Sequence, residues 1–388
     1  MIEFGVDRIL QNAPAWKSHR IGLITNQAAT TNTIVPSRKA LVDHGFNIVT
    51  LFSPEHGLMV DGPDGHPMPN GMDALTGLPV ISLYGQKLSP TASDLSNIDI
   101  LVFDIPDIGC RFYTYLWTLS YLMEAAAFHQ IPLVVLDRPN PVSGNLSLAE
   151  GPMLAASEAS FIGRWNMPVR HSCTLGELAQ YFNATRSMST LLEVVSCKGW
   201  DRSDFQPEWG IPFVATSPAI QDFASMLLYP GLCLLEATNI SEGRGTHLSF
   251  QVAGAPWMNG KQVAKLFNQL VLEDLSALPI EFEPFHSKYA NQPCAGIQLQ
   301  VLEPPFFQSM SYGLLLIKMI KELYPKQFQW SPYPTSVNKD GQRHLNKLLG
   351  IPDAEQLFDL PLQSFIAQVS KLTFVADWKE AVAPYLLY

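Results

Sequence analysis

The stretch FNIVTLFSPEHG, residues 46–57, decides how the rest of the chain is read. Its first half, 46–52, is apolar, β-branched and of strand length. Its second half, Ser53, Pro54, Glu55, His56 and Gly57, turns abruptly polar. A strand apolar on consecutive residues is buried on both faces, as in a parallel sheet covered by helices. Ligands in such sheets bind beyond the carboxyl ends of the strands. Glu55 and His56 are therefore expected where chemistry is done. An ordinary polar turn after a strand is the alternative.

Four other segments repeat the pattern. RIGLIT (20–25) ends in Asn26 and Gln27. PVISLY (79–84) is a further strand. IDILVFDI (98–105) runs into Asp104 and Asp107, and IPLVVL (131–136) into Asp137 and Asn140. Helical patterns lie between them: 33–44 with Val35, Leu41 and Val42 inward, and an aromatic run opening at Gly109. A helix at 174–182 has Thr174 and Glu177 as a capping box. Alternating strands and helices predict a parallel sheet with right-handed crossovers. The layout is Rossmann-like, yet no GxGxxG follows the first strand, so a dinucleotide is not expected.

From about residue 250 the style changes to alternating strands (280–285, 296–302) and helices (312–324, 360–372). The reading is an α/β protein in two parts. Residues 1–246 form a Rossmann-like catalytic domain with a parallel sheet. Residues 247–388 form a smaller α+β domain that completes the cleft. Residues 199–245 read as loop, with YPG at 229–231 as a turn.

Of 388 residues 47% are hydrophobic and 15% charged, with 30 prolines, which describes a well-packed globular enzyme. The net charge of −10 argues against nucleic acid or an anionic membrane as partner. Five dispersed cysteines with no CxxC pair read as reduced, buried thiols. The first residues lack the pattern of a signal peptide, and no apolar run is long enough to span a bilayer. A cytoplasmic setting is expected.

Glu55 is the best single candidate for an acid, since carboxylates crowded over strand ends separate into acid and base. Asp104 and Asn140 share that edge. SEGRGT (241–246) sets Glu242 and Arg244 between glycines, and arginine grips a planar carboxylate through two hydrogen bonds. Arg111 is a second candidate anion clamp. For each arginine the alternative is a structural ion pair. The aromatic run reads mostly as core, with Tyr113 or Tyr115 near its start placed to reach a sugar. His56, Asp61, Asp64 and His66 match no metal-site spacing, so neither metal nor cofactor is expected. No GxSxG is present for a serine nucleophile.

The motifs ITNQAA (24–29), LFSPEHGL (51–58), TGLPVISLYG (76–85), GCRFYTYLWTL (109–119), LDRPNP (136–141), YPGLCLLEATNISEGRGT (229–246) and GAPW (254–257) occur in an order that resembles one family. It is that of the NamZ-type exo-β-N-acetylmuramidases, long catalogued as a domain of unknown function. The resemblance implies release of N-acetylmuramic acid from the non-reducing end of peptidoglycan fragments. It carries the family's proposed catalytic glutamate onto Glu55. Glu242 is then the expected second carboxylate, with His56 beside Glu55. Arg244 and Arg111 would grip the lactyl carboxylate, and Asn26, Tyr113, Asp104 and Asn140 would contact the saccharide. Pro106 and Ala219 depart from the family pattern on loops expected to line the cleft. That leaves open a non-catalytic muropeptide-binding protein on the same scaffold. A metal-dependent hydrolase using His56, Asp61 and His66 is a third reading. Oligomeric state is not legible.

Overall fold

A computed structural model describes residues 1–270 and 273–388. Strands β1 (Ile21–Thr25), β2 (Ile48–Ser53), β3 (Gly71–Met72), β4 (Pro79–Ser82), β5 (Ile100–Asp104), β6 (Leu133–Leu136) and β7 (Leu192–Val195) form one sheet. Their order is β3-β4-β2-β1-β5-β6-β7. Neighbours are parallel except β3 and β4, which pair antiparallel.

The strands are apolar throughout because both faces are covered. In β5, Leu101 and Phe103 join one core while Ile100 and Val102 join the core on the opposite face. Helices α1 (Gly5–Gln11) and α2 (Ser37–Asp43) cover the Val102 face through Val6, Ile9 and Leu41. Helices α3 (Ala92–Leu95), α4 (Tyr115–His129) and α5 (Leu175–Thr185) cover the other, through Leu95, Leu116, Leu119, Leu178 and Phe182. Thr174 caps α5, its hydroxyl accepting from the Glu177 N–H while the Glu177 carboxylate accepts from the Thr174 N–H, so the capping box is present.

Helix α6 (Phe223–Leu232) leads into the second part. There β8 (Val252–Ala255), β9 (Leu275–Phe282) and β10 (Cys294–Val301) form an antiparallel sheet in the order β8-β10-β9. Helix α7 (Gly260–Phe267) packs on β9 and β10, and α8 (Ser309–Leu323) packs on α6. Helices α9 (His344–Leu349), α10 (Leu362–Thr373) and α11 (Ala376–Val382) complete the chain. One apolar core runs without a break from α4 through α6 to α8 and β10, so the two sheets share an interior.

Several local expectations change. The aromatic helix starts at Tyr115, not at Gly109. The Arg111 N–H is tied to the Val169 carbonyl and Cys110 bridges to Arg170, so 109–114 is held as a bridge and a turn ahead of the helix. YPG at 229–231 lies inside α6 and is no turn: every residue from Ser225 to Leu232 is buried, and packing overrides the proline's preference. Val35 is exposed, since α2 begins only at Ser37. β8, α7, α9 and α11 were not among the expected elements, although α7 alternates buried Val263, Ala264 and Phe267 with polar Lys261, Gln262 and Lys265.

Candidate active site

Glu55 stands two residues beyond β2, and Tyr84 two residues beyond β4. Both line a cavity of about 580 Å³ with His56, Asp64, Tyr113, Thr114, Glu236, Arg244, Tyr333 and His344 among others. The sheet supplies one wall. The start of α4, the segment after α6 and the 333–344 region supply the rest.

Glu55 is 5% exposed. Its Oε1 accepts from the Gly65 N–H at 2.9 Å, and its Oε2 from the Thr114 hydroxyl at 2.6 Å. Burial pushes its pKa up, His56 opposes this, and Asp64 adds to it. Hydrogen bonds from Thr114 and Tyr84 pull the other way without prevailing. A buried carboxyl that holds its proton is the raw material of a general acid.

His56 adopts φ of 64°, the left-handed region sparsely used by residues with side chains. The bend is held by an Nδ1 contact to the Gly62 carbonyl at 2.8 Å. A carbonyl only accepts, so Nδ1 carries the hydrogen and Nε2 faces Asp64, 4.0 Å away. One ligand atom each of Glu55, His56 and Asp64 lies within 4.8 Å of the others. The three could hold a cation. However, Glu55 already accepts two hydrogen bonds, and Asp64 is held by Tyr333 and Arg244. Of the trio His56, Asp61 and His66 in the metal-dependent alternative, only His56 lines the cavity. Asp61 and His66 are exposed, and His66 turns its Nδ1 onto the Asp64 carbonyl.

Arg244 comes from the SEGRGT turn. Gly243 and Gly245 flank it with φ of 82° and 83°, and a Cβ on Gly245 would sit 2.4 Å from the His286 carbonyl oxygen. The turn aims the guanidinium inward, over the Phe250 ring at 4.8 Å. Nη2 donates to Glu236 Oε1 at 2.7 Å, and Asp64 Oδ1 and Glu242 Oε1 lie 3.5 Å from the group. Burial works against the charge on Glu236, but Arg244 and His344 outweigh it and bring its pKa down to about 2. His344 Nε2 meets Glu236 Oε2 at 3.2 Å and its ring stacks on Tyr333, whose hydroxyl donates to Asp64. Tyr333, Asp64, Arg244, Glu236 and His344 thus close a ring of polar contacts joining the two parts of the chain.

Glu55, His56, Tyr113 and Arg244 come together here. The other expected site residues do not. Glu242 is 1% exposed and sits behind Arg244, its Oε2 accepting from Lys288 at 2.9 Å. Arg111 is fully buried away from the cavity and donates to the carbonyls of Pro152, Met167 and Leu348, which makes it a brace and not an anion clamp. Asn26 caps its own turn through the Ala28 N–H. Asp104 pairs with Arg138, and Asn140 bonds Cys173 and Val142. Pro106 lines a different cavity, and Ala219 is buried in a tight turn between Ser217 and Ile220. Asp64, Tyr84, Thr114, Glu236, Tyr333 and His344 were not expected as site residues. Asp64 alone had a signal, its nearness to Glu55 and His56 in a rigid Gly- and Pro-rich loop.

The fold and the cavity define a two-part α/β protein with a buried carboxyl of raised pKa, Glu55, and the carboxylates of Asp64 and Glu236 in one pocket. Profiles of the exo-beta-N-acetylmuramidase NamZ family match it, the N-terminal profile over residues 21–224 and the C-terminal one over 227–388. The chain is 40% identical over 331 residues to the peptidoglycan beta-N-acetylmuramidase NamZ of Bacillus subtilis (strain 168), covering 85% of this chain and 80% of that one. Crystal structures of two DUF1343 family proteins from Bacteroides fragilis NCTC 9343 superpose on all of this chain and 99% of theirs. Their TM-scores are 0.88 and 0.77, at 29% and 26% identity. The chain belongs to the NamZ exo-beta-N-acetylmuramidase family.

Proposed function

We propose that this protein is an exo-acting glycoside hydrolase that releases N-acetylmuramic acid from the non-reducing end of MurNAc-β-1,4-GlcNAc and related peptidoglycan fragments. The observation that carries the reading is the buried Glu55, its pKa pushed up by burial, with Asp64 a few ångströms away in one cavity. Glu55 gives its proton to the glycosidic oxygen as the bond to the anomeric carbon breaks. That carbon is met from the other face by Asp64 or by the sugar's own acetamido oxygen. Water, relieved of a proton by Glu55, then completes hydrolysis. A carboxyl pair this close suits retention, because inverting pairs stand ~6.5–9.5 Å apart to admit a water.

Arg244 is the only arginine or lysine on the cavity wall among the described residues, and it supports recognition of the lactyl carboxylate. Glu236 and Asp64 already hold it, so the sugar would share an anchored cation. His56 and Tyr113 complete the wall around the sugar. No described helix is long and apolar enough to cross a membrane. Five free, buried thiols fit a cytoplasmic setting.

The test is incubation with the disaccharide followed by mass spectrometry, with Glu55→Gln as control. Free N-acetylmuramic acid and N-acetylglucosamine are expected from the wild type. Activity of Glu55→Gln is expected to fall by ~10²–10⁴-fold. Binding with no release would instead make this a muropeptide-binding protein. Undiminished release by the variant would remove Glu55 as the acid.

A further inference from the structure

Asp64 lies in the glycine- and proline-rich loop between β2 and β3. An aspartate carboxyl turns freely about its last torsion, so one that works at a reacting carbon has to be pinned. Its Oδ1 stands 3.5 Å from Arg244 Nη2 and 4.0 Å from His56 Nε2, past the length of a good hydrogen bond. Its Oδ2 accepts from the hydroxyl of Tyr333, 269 residues further along the chain. Among the described residues no other group hydrogen-bonds the Asp64 side chain.

Tyr333 is itself firmly held. Its ring stacks on His344 at 4.7 Å, with the planes 20° apart. Its N–H donates to the Gly341 carbonyl at 2.9 Å, and the Thr335 N–H to the Asn338 carbonyl at 3.0 Å, which folds 333–341 into a tight strap. Glycine is required at 341, where φ is 64° and a Cβ would sit 2.4 Å from the Pro334 nitrogen. The Asn338 side chain ties the strap to α9 by accepting from Lys347 Nζ at 2.7 Å. The Ser336 N–H then reaches across to the Gly65 carbonyl at 2.8 Å, and the Gly65 N–H is the one that meets Glu55. The strap thus grips two neighbouring residues, Asp64 and Gly65, that both bear on the Glu55 carboxyl. Burial drives the pKa of Tyr333 well above its ordinary value, although Arg244 opposes it, so the hydroxyl keeps a hydrogen to give.

We propose that Tyr333 is a positioning residue for hydrolysis: its hydroxyl, carried on the 333–341 strap, fixes the Asp64 carboxylate toward the anomeric carbon of the sugar or its acetamido group. The proposal rests on the hydrolytic reading of the Glu55 cavity and deepens it. Both carboxyls come from the N-terminal part of the chain, while the grip that sets one against the other comes from the C-terminal part.

The test is single-turnover cleavage of a chromogenic N-acetylmuramide with enzyme in excess, for the wild type, Tyr333→Phe, Asp64→Asn and the double variant. Phenylalanine keeps the stack on His344 and removes only the donor. The rate constant at saturation counts molecules that bind and react, so a misfolded fraction would move the half-saturating concentration instead. Tyr333→Phe is expected to lower that rate constant at least ~10-fold, the worth of a hydrogen bond to a charged group, and to move half-saturation less than ~3-fold. In the Asp64→Asn background the same change is expected to cost less than ~3-fold, because Tyr333 acts through Asp64. An unchanged rate constant in Tyr333→Phe would overturn the proposal, as would losses that multiply in full in the double variant, or a movement of half-saturation alone. A wild type that cleaves nothing removes the hydrolytic reading and this proposal with it, a failure seen before any variant is compared.

Discussion

The Thr114 hydroxyl donates to Glu55 Oε2 across 2.6 Å, joining the start of α4 to the loop after β2. A donor to a carboxylate favours the charged form, so this bond lowers the pKa of Glu55 against the stronger upward push of burial. Thr114→Val removes the donor and keeps the shape. Glu55 should then hold its proton to higher pH. The limb of the pH–rate profile that falls as Glu55 ionises should move to the alkaline side, and a limb that stays in place or turns acidic would deny Glu55 the role.

Asp64 raises the pKa of Glu55 by repulsion, and an oxygen of each lies within 4.8 Å. Hydrolysis should proceed with retention of anomeric configuration, followed by proton NMR of the first product formed. Inversion would mean that neither Asp64 nor the acetamido group meets the anomeric carbon. Asp64→Asn should lower kcat, and the surviving pH profile should shift to acid because the repulsion is gone.

Arg244 decides between muramic and glucosaminic sugars if it receives the lactyl carboxylate. Arg244→Gln should cost ~10–100-fold in kcat/KM on a chromogenic muramide, the worth of one charged hydrogen bond. The matching N-acetylglucosaminide, which lacks the lactyl group, should lose far less. Equal losses on both would assign Arg244 to holding Glu236 and Asp64 in place.

Two buried carboxyls outside the cavity set the pH response of the fold. Burial, only partly offset by Arg170, pushes Glu150 up to about 7, and burial pushes Asp137 up to about 6 against its bond from Thr174. A raised carboxyl binds its proton more tightly folded than unfolded. Its contribution is whole below the unfolded pKa and is lost as pH rises through the folded one. Stability should therefore fall between about pH 4 and pH 7, by on the order of 3 kcal/mol for each group. Denaturant midpoints across that range check it, and a midpoint rising with pH would contradict it.

The sheet was legible because strands such as 98–105 are apolar on consecutive residues, a local property. The place of Glu55 on the cavity wall was legible for the same reason, since a polar turn after such a strand lies at the edge where ligands of such sheets bind. Arg111 was misread because its partners, the carbonyls of Pro152, Met167 and Leu348, are remote in sequence, and nothing local separates a clamp from a brace. Glu242 and Glu236 are six residues apart, and which of them faces the cavity depends on Lys288 taking the first and His344 the second. Tyr333 and His344 carry no motif. They reach the site only because 333–344 folds back against the loop after β2.

The apolar interior shared by the two sheets has a consequence for anyone who would cut the chain at the seam between its profiles. Either fragment would carry a raw oily flank where Phe112 and Tyr113 had packed against Tyr229. Neither piece is a module that can be lent to another protein, and the Glu55 cavity, built from both sides of that seam, survives only in the uncut polypeptide.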